Sequence, residues 1–78
     1  MESVILYTQP DCPPCEITKQ FFKANNIQYI EKNIKTDAKA KKDLMVKYQS
    51  FSTPTVIIGE EIFRGFSLDA IAAKLNIK

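Results

Sequence analysis

Compact apolar runs alternate along the chain with stretches in which apolar residues return every three or four positions, marking strands and helices in turn. Ser3 to Thr8 (SVILYT) is a β-branched and aliphatic run closed by Gln9, Pro10 and Asp11, the pattern of a buried strand entering a turn. From Pro13 onward Ile17, Phe21 and Ala24 recur at helical spacing, Phe22 widens the stripe, and Asn25 and Asn26 supply a stop. Ile27 to Asn33 alternates loosely and reads as a second strand. Past a polar link through Thr36 and Asp37, the residues Ala40, Leu44 and Tyr48 mark a second amphipathic helix. Thr55 to Ile58 is a third strand, Gly59-Glu60-Glu61 a turn, and Ile62 to Arg64 a short returning strand, so the pair forms a hairpin. The last segment has the clearest period: Ser67 stands as N-cap, and Leu68, Ile71, Ala72 and Leu75 follow at i, i+3, i+4 and i+7.

The order is thus β-α-β-α-β-β-α. A right-handed crossover makes the first two strands parallel. The hairpin adds two mutually antiparallel strands, giving an α/β fold with a mixed sheet of about four strands and helices on both faces. No linker, repeat or low-complexity tract interrupts the pattern, and residues 1–78 are expected to form a single domain.

Composition narrows the function more by exclusion than by assertion. Apolar residues make up 45% of the chain and charged residues 26%, the balance of a globular protein. A formal net charge of +2 is too mild for a nucleic-acid surface, and the lysines of EKNIKTDAKAKKD are interleaved with acids, as on a solvated helix face. The opening apolar run is too short for a secretory signal or a membrane span. A cytoplasmic location, no nucleic-acid or membrane partner, and a monomer are the expectation. In the cytosol thiols stay reduced, which disfavours a purely structural disulfide.

Against that background the cysteines stand out. There are only two, Cys12 and Cys15, and no histidine. They fall where the first strand meets the first helix, beyond the carboxyl end of a strand, where α/β folds collect their chemistry. With Cys12 as N-cap, Pro13 and Pro14 occupy the first two helical positions, where a missing N–H costs nothing. Cys12 would then be exposed at the positive end of the helix dipole, which favours its thiolate, and the nearest remaining donor would be the N–H of Cys15. Asp11 opposes that thiolate by like charge, and Lys19, one turn beyond Cys15, supports it. A partly ionised thiol near neutral pH suits thiol–disulfide exchange. Cys12 would attack a disulfide, and Cys15 at i+3 would resolve the mixed disulfide. The rival reading is metal: a closed zinc site needs four ligands, which this chain does not offer alone, but two thiolates can carry copper(I) or share a bridging iron–sulfur cluster. A partner-binding domain without redox activity is a third reading.

A second motif is STPTVII. Pro54 precedes a strand that should be central, where proline is normally excluded. On local sequence alone a trans Thr53–Pro54 bond is expected, since cis is rare among X-Pro bonds. YTQPDCPPC after a strand, STPTV before the hairpin, and Gly65, Phe66, Ser67, Leu68 and Asp69 opening the last helix together resemble the glutaredoxins of the thioredoxin-like superfamily. The resemblance spans essentially the whole chain. It implies a thioredoxin-like fold, Cys12 as nucleophile, Cys15 as resolving thiol, and a cis Pro54 facing them. Thr53 would pair through its main chain with substrate, no cofactor would be bound, and Lys19 falls where many of these proteins carry a lysine.

The departures bear on the electron source. Pro14 stands where an aromatic residue is common, and Thr8 and Gln9 where a basic one is. Phe66 and Leu68 replace a glycine and an acid of the glutathione site, of which Gly65, Ser67 and Asp69 remain. A Gly-Phe pair here resembles the glutaredoxin-like redoxins that serve ribonucleotide reductase and draw electrons from NADPH through thioredoxin reductase. Glutathione and thioredoxin reductase are therefore both candidate donors, and disulfide-containing proteins, with ribonucleotide reductase among them, the candidate partners. Phe63, Phe66, Tyr7 and Tyr48 are assigned to the core in preference to a partner groove.

Overall fold

The computed structural model describes residues 3–65 and 67–76 of the chain. The elements are β1 (Val4–Thr8), α1 (Pro13–Ala24), β2 (Ile30–Asn33), α2 (Ala38–Lys42) continued by a π-helical turn (Asp43–Lys47), β3 (Thr55–Ile58), β4 (Glu61–Arg64) and α3 (Leu68–Lys74). One mixed sheet runs in the order β2-β1-β3-β4. β1 and β2 are parallel; β1 with β3 and β3 with β4 are antiparallel.

Alternation along the strands sorts the core into two layers. Val4, Leu6, Val56 and Ile58 face one way and pack with Phe22 of α1 and Ile71 of α3. Tyr7 and Ile57 face the other way and pack with Ala40 and Leu44. Thus α1 and α3 cover one face and α2 with its π turn the other. Phe63 is half-buried against the first layer, and the rings of Tyr7 and Tyr48 meet at 5.9 Å in the second, as the core assignment of all three expects.

Three local expectations shift. On α1 the buried residues are Cys15, Thr18 and Phe22, whereas Ile17 is 46% exposed and Ala24 is exposed. The stripe that faces the sheet is rotated by one residue, because Thr18 donates its hydroxyl to the Pro14 carbonyl (2.8 Å) and so enters the core with its polar group satisfied. The second strand begins at Ile30 rather than Ile27. Asn26 adopts a left-handed φ of 56° and the Ile27 N–H donates to the Phe22 carbonyl (2.8 Å), so these residues close the helix and the pairing starts later, at Ile5↔Ile30. The second helix is α-helical for only five residues before widening into the π turn, in which the Tyr48 N–H reaches back to the Asp43 carbonyl (3.1 Å). Asp37 caps it, accepting from the Ala40 N–H at 3.0 Å.

Register positions the chemistry. Because β3 runs antiparallel to β1 with Tyr7↔Thr55 paired, residues just before β3 come to lie beside residues just after β1. Thr55↔Arg64 then brings the residues after β4 to the same end of the sheet. Three segments distant in sequence therefore converge where α1 begins.

Candidate active site

The first of these segments is the cysteine turn. Asp11 adopts a left-handed φ of 57°, a conformation that aspartate tolerates better than most residues, and this reverses the chain into the helix. Cys12 follows in an extended conformation as the N-cap of α1, with Pro13 and Pro14 at the first two helical positions. Deprived of two N–H groups, the helix tip offers Cys12 the N–H of Cys15, which donates to Cys12 Sγ at 3.3 Å. The two sulfurs are bonded to each other as a disulfide, with Cα atoms 5.2 Å apart.

Exposure separates the two. Cys15 is 0% exposed and Cys12 9%. The tip is thus far less open than the sequence suggested, with Cys15 bonded to Cys12 and the Thr53 hydroxyl set against its sulfur. What remains accessible belongs to Cys12 alone.

The second segment precedes β3. The Thr53–Pro54 peptide bond is cis, as the family resemblance implied and local sequence did not. Thr53 Oγ1 donates to Cys12 Sγ across 3.7 Å, a long contact suited to a large, diffuse sulfur acceptor. Thr55 Oγ1 braces this segment, donating to the Ser52 carbonyl at 2.7 Å and sharing a hydrogen bond with Ser50 Oγ at 2.9 Å. The backbone N–H and C=O of Thr53 lie outside the strand ladder and find no partner among the described residues.

The third segment follows β4. Gly65 donates its N–H to the Pro54 carbonyl at 3.0 Å and has φ 78°, while a Cβ built on it would meet nothing within 4 Å. Glycine is needed here for its conformation and not for close approach. Ser67 caps α3 without a side-chain bond to it, its hydroxyl reaching the Arg64 carbonyl at 3.4 Å, and Asp69 is exposed in the first turn. Neither is hydrogen-bonded to a sulfur. Phe66 lies outside the described residues.

Lys19 does not serve Cys12 as the sequence suggested. Its ammonium pairs with Glu16 at 2.6 Å and Glu31 at 3.3 Å, and these carboxylates, Glu16 foremost, raise its pKa. Glu31 also accepts from the buried hydroxyl of Thr8 at 2.9 Å, so α1, β1 and β2 are tied together beside the dithiol. Nothing in the local sequence signals this link, which depends on the β1–β2 register. Among the described residues no group of three or more His, Cys, Asp or Glu is placed to hold a metal ion.

Among the described residues the surface carries grooves near both ends of β1. One of about 610 Å³ lies at the far end of β1, lined by Val4, Ile27, Tyr29, Ile30 and Leu75 among others, with no cysteine or carboxylate. The other, about 400 Å³, borders the cysteine turn at Gln9.

Comparison with known proteins agrees with this geometry. A thioredoxin-like protein, BC3987, is 46% identical and superposes with a TM-score of 0.89 over 91% of this chain and 97% of its own. The NrdH-redoxin of Escherichia coli, a glutaredoxin-like protein with a thioredoxin-like activity profile, is 28% identical with a TM-score of 0.79 over 91% and 92%. An uncharacterized glutaredoxin-like 8.6 kDa protein in the rubredoxin operon of Clostridium pasteurianum is 29% identical over 62 residues, which are 80% of this chain and 83% of that one. The sequence model of the glutaredoxin family matches residues 4–63. That span runs from the start of β1 into β4 and so takes in both the dithiol and the threonine that meets it: the chain belongs to the glutaredoxin family, on a thioredoxin-like fold.

Proposed function

We propose that this protein is a thiol–disulfide oxidoreductase that reduces protein disulfides through a mixed disulfide on Cys12. The observation that carries the reading is the bonded Cys12–Cys15 pair at the tip of α1, in which the only exposure belongs to Cys12. In the reduced protein the Cys12 thiolate attacks one sulfur of the substrate; the substrate S–S bond breaks and the departing thiolate takes up a proton. Cys15, as thiolate, then attacks Cys12 Sγ, the mixed disulfide breaks, and the second substrate thiolate leaves and is protonated. Two electrons have passed from the dithiol to the substrate, and the Cys12–Cys15 disulfide is the product.

The neighbours of Cys12 fit these steps. The Cys15 N–H and the Thr53 hydroxyl both aim at its sulfur and favour the anion. Asp11 opposes it, which keeps the thiol from ionising so completely that it loses nucleophilicity. The unpartnered backbone groups of Thr53 suit an extended substrate segment, with Gly65, Ser67 and Asp69 on the side where β4 ends. Cycling requires a reducing compartment, and the cytosol supplies one. The partly matched glutathione residues and the likeness to NrdH-redoxin both favour thioredoxin reductase with NADPH as the electron source, and ribonucleotide reductase as one partner. The test is to supply NADPH with either thioredoxin reductase or glutathione and its reductase, and to follow NADPH oxidation in the presence of a protein disulfide. Sustained turnover with the first system and little with the second is expected; turnover with neither would refute the reading.

A further inference from the structure

Next to the dithiol the surface carries apolar side chains that the core does not use. Phe51, two residues before Thr53, is 77% exposed, and Met45 in the π turn is 40% exposed. With Ile34 they line the groove of about 400 Å³ whose other edge is Gln9 of the cysteine turn. Leu44, Lys35 and Lys41 complete the lining; both lysines are exposed and neither is in an ion pair among the described residues. α2, which carries Lys41, has the sequence AKAKK, with no acid to balance its three lysines, and Asp37 before it is engaged with the Ala40 N–H. Asp43, at the start of the π turn, is the nearest acid that follows.

We infer that this groove docks an acidic, extended segment of the substrate protein, placing an apolar side chain against Phe51 and Met45 and carboxylates against Lys35 and Lys41. The inference rests on the reductase reading and adds the chemistry that selects its substrate. A segment pairing with the Thr53 backbone passes over Phe51 within two residues, since the chain advances about 3.3 Å per residue in extended form. The site therefore reads the sequence immediately beside the substrate cysteine. The apolar lining separates this occupant from glutathione, which has carboxylates for the lysines but no apolar side chain for Phe51. Charge supplies long-range attraction and the aromatic contact supplies residence.

The experiment uses the intact protein with a chemical reductant and four disulfide probes: a peptide with leucine and glutamates beside its cysteine, the same peptide with lysines for glutamates, hydroxyethyl disulfide, and glutathione disulfide. Preference for the acidic peptide of about tenfold in kcat/KM is expected, weakening as salt is raised. Phe51→Ala and the double change Lys35→Glu with Lys41→Glu should each lower kcat/KM for that peptide about fivefold or more, chiefly through KM, while reduction of hydroxyethyl disulfide is unchanged. Equal rates for the two peptides, or losses that fall equally on hydroxyethyl disulfide, would overturn the docking inference. So would an equal fold loss with glutathione disulfide, which would make the groove a glutathione site. Failure to reduce even hydroxyethyl disulfide would instead overturn the reductase reading itself.

Discussion

At the scale of single residues, the geometry around Cys12 makes its acidity a sum of small local terms. Two donors, the Cys15 N–H at 3.3 Å and the Thr53 hydroxyl at 3.7 Å, point at Cys12 Sγ in the disulfide, and on the proposed function they and the helix dipole favour the thiolate once that bond is reduced. Replacing Thr53 by valine keeps the shape and removes one donor. Since a pKa unit is about 1.4 kcal/mol and a hydrogen bond to a charged group is worth about that much at good geometry, Thr53→Val should raise the Cys12 pKa by roughly half a unit to one unit. Thiolate absorbance followed against pH measures it; an unchanged midpoint would show that the hydroxyl does not act on the sulfur. The cysteines and their N-cap placement were legible in the sequence because helix-start chemistry is local. The Thr53 hydroxyl was not, since that contact joins residues 41 apart in the chain and exists only once β1 and β3 are in register. The pairing of Lys19 with Glu31, rather than with Cys12, is hidden for the same reason.

At the scale of elements, the hairpin and the turn after it hold the substrate edge. Gly65 joins β4 to α3 with φ 78° and bonds Pro54 through its N–H. Alanine there meets no atom but is held in a left-handed conformation, so Gly65→Ala should cost about 1 to 2 kcal/mol. Urea denaturation checks this, and a cost near zero would mean the turn relaxes freely. Strand β3 and helix α1 matched the sequence pattern at their boundaries, because proline and asparagine punctuate them. The face that α1 buries did not, since Cys15 and Thr18 do not count as apolar in a periodicity reading although both fit the interior once bonded. The π turn, in which the Tyr48 N–H bonds the Asp43 carbonyl, has no signature in the periodicity, because Ala40, Leu44 and Tyr48 keep the spacing of an ordinary α-helix.

For the whole molecule, pH links the core to stability. Burial foremost, with Tyr48, Asp43 and Asp37 adding to it, pushes the Tyr7 phenol up to about 12. Burial likewise raises Tyr29, and pairing with Glu16 raises Lys19. Each favours the protonated form in the folded state, so each contribution is fully present below the unfolded pKa and is lost as pH rises through the folded one. Stability should thus be level up to about pH 10 and fall between about 10 and 12, Tyr7 accounting for roughly 2 kcal/mol of the fall. Tyr7→Phe should flatten the profile by that amount in urea titrations across the window; an identical slope would assign the loss elsewhere. The α/β order, the parallel first pair and helices on both faces were legible in the sequence pattern, but the strand order β2-β1-β3-β4 was not, since that pattern leaves it free.

On the proposed function sulfur 12, and not sulfur 15, meets the substrate. This is tested most directly by alkylating the fully reduced protein with iodoacetamide over a range of pH and locating the modification by mass spectrometry. Cys12 is expected to react first, with an apparent pKa below the ordinary cysteine value of about 8.5, while Cys15 stays protected. Modification of Cys15 first, or a Cys12 midpoint at or above that ordinary value, would contradict it.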